Sequence, residues 1–182
     1  MKKFTSILLA SFLTIMFLNA QDPMFTKDDK VVNIGTGFRS ALYTGTHFTS
    51  TVPSVSLSFE KGIVDNILEK GVIGIGGYAG YTAYKYEVSG WGCKYKNIII
   101  GPRGSFHYPI VDKLDTYIGL LIGYIISSEK EFGNVIGILP SAGGLVWSGY
   151  IGGRYYFSDK IAGMLELGSG ISYLNLGLAI KL

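Results

Sequence analysis

The chain has a single cysteine, Cys93, and two histidines, His47 and His107. One thiol cannot close an intrachain disulfide, and a cysteine-based zinc site has no second thiolate. His47 has no companion ligand near it in sequence, so neither a metal nor a cofactor is expected. Charge is also scarce: Asp, Glu, Lys and Arg together make up 16% of the residues. Without a clustered basic face, the formal charge of +3 does not advertise a nucleic-acid partner. Proline is sparse as well, at five residues.

An N-terminal segment accounts for two of those three charges. Lys2 and Lys3 precede an apolar run from Ile7 to Leu18, and Asn19-Ala20 leads into the polar Gln21-Asp22-Pro23. This is the order of a secretory signal: a basic start, a short apolar stretch and a small residue at the cleavage point. The apolar run falls short of the ~20 residues that a spanning helix needs. Residues 1–20 therefore read as a cleaved signal peptide and 21–182 as the mature domain. Of the 16 Lys and Arg, the two in the signal are lost, leaving 14 against 13 Asp and Glu. The mature chain is close to neutral.

What the chain has in abundance is glycine, 26 residues, with 13 tyrosines and 10 phenylalanines. Glycine disfavours helix by ~1 kcal/mol relative to alanine, whereas Tyr and Phe favour strands. The patterning agrees. Leu174, Leu176, Leu178, Ile180 and Leu182 alternate with Tyr173, Asn175, Gly177, Ala179 and Lys181. Val55, Leu57 and Phe59 alternate with Ser54, Ser56, Ser58 and Glu60, and Val32, Ile34, Thr36 and Phe38 with Asn33, Gly35, Gly37 and Arg39. A period of two marks strands with one apolar face.

Eight such segments follow one another, at roughly 31–43, 54–63, 71–86, 95–108, 114–126, 145–157, 161–168 and 172–182. Most reach the ~9–11 residues that a tilted strand needs to cross a bilayer. The fold class is all-β, a closed antiparallel eight-stranded transmembrane β-barrel. Tyr108 to Lys113 and Ser158-Asp159-Lys160 read as short turns, and Thr44 to Pro53 and Ser127 to Gly144 as longer loops on the other side. An even strand count puts both termini with the short turns, on the periplasmic side. The uncharged run Phe132 to Gly153 contains seven glycines and Pro140. It reads as a loop feeding a strand, not as a helix.

Lipid offers no hydrogen bonds, so the outward face must be apolar and the inward face is free to be polar. That rule sends Arg39, Glu60, Arg103, Asp115, Arg154 and Glu166 into the lumen, three cations with three anions. Phe38, Phe59, Ile98, Ile100, Ile118, Leu120, Ile122, Ile151, Leu165 and Leu167 then face lipid. Phe59, Phe106, Tyr108, Tyr155 and Phe157 mark a periplasmic aromatic belt, and Tyr81, Tyr124 and Trp147 an outer one. Tyr78 and Tyr117 help to fill an interior that eight strands leave narrow.

Lys113-Leu114-Asp115-Thr116-Tyr117-Ile118-Gly119, followed by Gly123-Tyr124, resembles the fifth strand of the OmpA/OmpX-like outer membrane β-barrel family. Arg154-Tyr155-Tyr156-Phe157-Ser158-Asp159-Lys160 with Glu166 is similar to that family's sixth strand, turn and seventh strand, and the last strand to its insertion signal. The likeness begins near Asn97. It departs at Thr116, where proline is common, and at Leu182, where the usual last residue is Phe. The resemblance implies an outer membrane location in a Gram-negative bacterium, with outer membrane lipids and, during insertion, the barrel assembly machinery as partners; it names no partner for the extracellular loops.

Two motifs bear on chemistry. Gly74-Ile75-Gly76-Gly77-Tyr78-Ala79 fits a loose dinucleotide fingerprint, but that motif needs a following helix, and Gly80 to Lys85 is strand-like. Ser105 and His107 share a strand face, and Glu60 or Asp115 could complete a hydrolase-like set. Their expected position near the periplasmic end is wrong for an enzyme acting on outer-leaflet lipid. The expected function is a non-enzymatic outer membrane barrel with a plugged lumen, contributing to envelope integrity or to surface interactions through its loops. A lipid A-modifying enzyme and a soluble periplasmic lipid-binding barrel are the alternatives.

Overall fold

The computed structural model describes residues 22–40, 42, 48–88, 90–133 and 143–182, with backbone alone at 39, 40 and 48–51. The signal segment 1–20 and His47 lie outside the described residues. Eight strands follow in chain order: β1 (Lys30–Ser40), β2 (Phe48–Ile67), β3 (Gly71–Val88), β4 (Trp91–Val111), β5 (Leu114–Phe132), β6 (Gly144–Tyr156), β7 (Ile161–Gly168) and β8 (Ser172–Lys181). Each pairs antiparallel with its sequence neighbour, and β8 returns to β1 to close the barrel. The closing seam runs from Val31 opposite Lys181 to Ser40 opposite Ser172. Within the closed wall no sheet edge is left, and the backbone is satisfied from strand to strand.

The alternation of the sequence is the alternation of the walls. On β5, Asp115, Tyr117, Leu121 and Ile125 are buried while Ile118, Leu120, Ile122, Tyr124 and Ile126 are exposed. Every residue expected to face lipid, from Phe38 to Leu167, is on the exposed outer face. Exposed aliphatics on this scale would be untenable in water, where contiguous apolar patches seldom exceed a few hundred Å².

Strand lengths depart from expectation in an instructive way. β2, β3, β4 and β5 run to 20, 18, 21 and 19 residues, about twice what a bilayer crossing requires. The stretches expected to be loops at 44–53 and 127–144 are partly strand, because β2 starts at Phe48 and β5 continues to Phe132. Their upper parts pair with β3 and β4, while pairing to β1 stops at Gly37–Ser54 and pairing to β6 at Ile125–Gly144. A four-stranded flap thus stands above the rim. Polar residues such as Thr49, Ser50, Ser127, Ser128 and Lys130 give it no lipid-facing alternation, so its sequence does not read as strand.

Turns at the opposite end are tight. The Asp112-Lys113 connection places Lys113 at φ 60°, and Leu68 and Glu69 take φ 50° and 76° between β2 and β3. The connections after β3 and β7 are also short, so long outer loops are not the rule here. The glycine-rich stretch at Gly74 is plain β3 wall with no helix after it. Of the uncharged run, Phe132 ends β5 and residues 144–153 lie in β6, while 134–142 lie outside the described residues.

Candidate functional site

The strands converge inside the barrel on a layer of ionised side chains. Lumen-facing positions near the terminal end supply Glu60 from β2, Arg103 and His107 from β4, Asp115 from β5, Arg154 from β6 and Glu166 from β7, all buried. Arg154 donates from Nη1 to Asp115 Oδ2 at 3.1 Å and from Nη2 to Glu60 Oε2, and from Nε to Asn33 Oδ1 at 3.0 Å. His107 closes the ring, with Nδ1 2.8 Å from Asp115 Oδ1 and Nε2 3.0 Å from Glu60 Oε1. A neutral imidazole has one N–H and one lone pair. Bonding a carboxylate at each nitrogen therefore takes a second proton, on the ring or on one of the carboxyls.

A second group lies one step higher on the same strands. Arg103 donates from Nη2 to Glu166 Oε2 at 2.8 Å, from Nε to the Tyr150 hydroxyl at 3.0 Å and from Nη1 to Ser58 Oγ at 3.4 Å. The Tyr117 hydroxyl donates to the same Glu166 oxygen at 3.2 Å. Ser58 joins the two groups, because it also accepts from Asn33 Nδ2 at 2.8 Å. Each guanidinium lies against a tyrosine ring, Arg103 4.1 Å from the Tyr150 centroid and Arg154 4.7 Å from that of Tyr117. Five of the six residues expected in the lumen are thus buried in two linked clusters. The side chain of the sixth, Arg39, lies outside the described residues.

Glycines make this layer possible. Tyr117 lies opposite Gly152, and Tyr150 opposite Gly119. A Cβ on Gly152 would come within 2.6 Å of the Tyr117 ring, and one on Gly119 within 2.4 Å of the Tyr150 ring. Each ring occupies the space that a side chain on the opposing glycine would need, which lets two bulky aromatics share one narrow lumen.

The layer is capped from both sides. Below it the segment before β1 turns into the barrel mouth: Phe25 is 1% exposed, and its ring sits 4.2 Å from the His107 ring. Asp29 holds that segment by accepting from Thr26 N and Oγ1, both at 2.8 Å, and by pairing with Lys181 Nζ at 2.7 Å. Outside, Lys61 sits 2.9 Å from Asp28; its hydrogen bond and charge hold the Asp28 carboxyl below its usual range. Above the layer, Tyr78, Ile99, Leu121, Ile125 and Ile171 form an apolar cluster. The void beside Tyr78, Arg103, Glu166 and Asn175 is only about 10 Å³, roughly the least that admits one water.

The hydrolase-like set does not assemble. Ser105 Oγ is 2.8 Å from the Tyr150 hydroxyl, and His107 spends both ring nitrogens on Asp115 and Glu60. A nucleophile needs its base within hydrogen-bond reach. Asn33, Ser58, Tyr150 and Phe25 belong to the site without having been expected there from sequence. The first three carry a signal, since each shares inward parity with a charged neighbour; Phe25 lies outside any strand pattern and has none.

No protein-family model matches the chain, and no curated protein matches it in sequence. Among solved structures it is similar to Ail, the attachment invasion locus protein of Yersinia pestis, with 11% identity, 86% of this chain and 95% of that one covered, and a TM-score of 0.45. It is similar to the outer membrane protein OprG from Pseudomonas aeruginosa at 10% identity, 88% and 99% coverage and a TM-score of 0.46. To the outer membrane protein AlkL, determined in lipid bilayers, the figures are 13%, 90% and 94%, and 0.49.

Proposed function

We propose that this chain, exported by residues 1–20, is an integral protein of a Gram-negative outer membrane. In that setting it is a non-enzymatic wall element whose lumen is plugged. Both termini then face the periplasm and the flap faces outward. The observation that carries the reading is the division of the walls: aliphatic side chains outward, and inward an ion-paired layer capped by Phe25 below and by Ile99, Leu121 and Ile125 above. A soluble lipid-binding barrel would need the reverse, with its apolar face inward around a cavity. A lipid A-modifying enzyme of the serine-hydrolase kind would need its nucleophile in contact with a base, and Ser105 contacts Tyr150 instead. Eight strands leave an interior that side chains fill, and an aqueous channel comes only with many more.

Single-channel recording of the purified protein in planar bilayers tests the plug. The expected result is closed baseline with rare, small openings. Steady porin-sized conductance would overturn the reading and point to transport. Retention in the outer-membrane pellet after a carbonate wash, with a gel mobility that shifts on heating, separates the membrane barrel from a soluble one.

A further inference from the structure

The outward face of the flap carries a feature that the wall function leaves unused. Lys85 on β3, Lys94 on β4 and Lys130 on β5 stand directly opposite one another in a single cross-strand row, Lys85 to Lys94 and Lys94 to Lys130. Lys96 sits two residues further down β4, between Ala83 and Ser128. Like charges placed opposite one another destabilise a sheet. Relief on the protein side is small: Glu87 pairs with Lys85, and the Phe132 ring lies 5.0 Å from Lys85 Nζ and 5.9 Å from Lys94 Nζ. The flap's other exposed carboxylates on β5, Glu129 and Glu131, lie opposite Tyr95 and Cys93 and so on the inner face. Four cations therefore share the outer face with one carboxylate among the described residues.

Directly below, on the same strands, that face turns apolar. Tyr81 pairs with Ile98, Ala79 with Ile100 and Gly77 with Pro102. The small residues leave a shallow hollow, wide open to the outside, of about 570 Å³, lined by Leu57, Phe59, Gly77, Ala79, Ile100 and Pro102. A Cβ added at Gly77 would meet nothing within 4 Å. Pro102 lies six positions along β4 from Lys96, about 20 Å along a strand at ~3.4 Å per residue. At a tilt of ~40° this is about 15 Å of depth, half of a ~30 Å hydrocarbon core. Charge at the headgroup level and a hollow reaching the depth of one leaflet call for an amphiphile.

We propose that the outward face of β2 to β5 is a binding site for a phosphorylated lipid of the outer leaflet, with the lysines on β3, β4 and β5 and the hollow on β2, β3 and β4. Lys85, Lys94, Lys96 and Lys130 receive its phosphates, and one acyl chain settles over Gly77, Ala79 and Pro102. A soluble polyanion would match the lysines but has no use for the hollow. The proposal rests on the membrane reading, and its test begins with barrel already inserted, so failure to insert is seen separately.

The full-length mature barrel in phosphatidylcholine nanodiscs, doped with bisphosphorylated lipid A, is analysed by native mass spectrometry for retained lipid A. Wild type is expected to retain it, and K85Q/K94Q/K130Q to bind about tenfold more weakly or worse, given the attraction of each near-surface lysine for anionic headgroups. Dephosphorylated lipid A should bind wild type equally weakly, and Gly77→Leu, which fills the hollow, should weaken intact lipid A with all lysines present. A heat-dependent gel shift certifies each variant as folded; should the triple variant not fold, K94Q and K96Q carry the same comparison. Equal retention by folded lysine variants and wild type would overturn the site. So would displacement of lipid A by inorganic phosphate or deacylated sugar phosphate at matched concentration, which would mark a soluble-anion site.

Discussion

Two layers of the same lumen are filled by opposite means. Near the termini, Glu60, His107, Asp115 and Arg154 are buried to within a few percent and joined to one another by hydrogen bonds across the lumen. A few residues higher on the same strands, Ile99, Leu121 and Ile125 pack with tyrosines and Ile171 and need no partner for charge. An apolar layer tolerates loss in proportion to the volume removed. A charged layer does not, because deleting one member leaves the others buried and unpaired. The lumen thus has a layer that is specific and brittle beside one that is merely full.

The largest expected effect removes the frame that both layers share. Deleting Ala179 to Leu182 takes away the pairing of β8 with Val31, Val32 and Asn33, and with it barrel closure at the terminal end. The truncated chain is expected to remain in the periplasm, as cell fractionation would show; normal insertion would mean that the aliphatic row of β8 is not the recognition signal.

Within the closed barrel the layers can be set against each other. Arg154→Ala leaves Glu60 and Asp115 buried with His107 as the one cationic partner between them and is expected to cost ~3–5 kcal/mol. Leu121→Ala in the apolar layer is expected toward the lower part of the ~2–5 kcal/mol span for such truncations. Thermal unfolding of both variants in the same detergent measures the difference. If Leu121→Ala proves the more damaging, the charged layer is wetter than its burial suggests.

The outer wall gives a smaller but directional effect. Leu178 is 55% exposed on the outer face, and its neighbour Ala179 is fully buried. An arginine at mid-membrane on the lipid face costs ~2–4 kcal/mol. Leu178→Arg should therefore cut assembly yields sharply, and Ala179→Ser should alter them little, as read from the heat-shifted band. Equal yields would reverse the facing of β8.

The smallest effect belongs to charges that water already reaches. Asp28 is exposed, so its pairing with Lys61 is screened. Asp28→Asn should leave the unfolding temperature unchanged within error at neutral pH. A clear drop would show that the stopper around Phe25 depends on more than Asp29 and Lys181.

The facing of the walls is legible in the chain itself. Alternation tells which side of each strand meets lipid, since a half-buried strand exposes its period directly, and Phe38, Leu120 and Ile151 fall where that period puts them. The inward parity of Glu60, Arg103, Asp115, Arg154 and Glu166 is equally readable. Their partners are not. Arg154 reaches Asn33, 121 residues away in the chain, and Glu60 lies 94 residues from Arg154. Such pairs depend on barrel shear and register, which no local pattern encodes. The flap is silent in sequence for a different reason: beyond the apolar wall neither face is forced to be apolar, so strand continues without its signature.

Strand number, the two wall faces and the kind of residue inside are readable along the chain, because a strand with one apolar face shows its period of two directly and an eight-stranded lumen is narrow. That His107 bridges two carboxylates, that Ser105 goes to Tyr150, that Phe25 seals the base and that three lysines from three strands align is visible only in the folded barrel. Each of these is set by where closure brings distant strands together, and closure is a property of the whole ring.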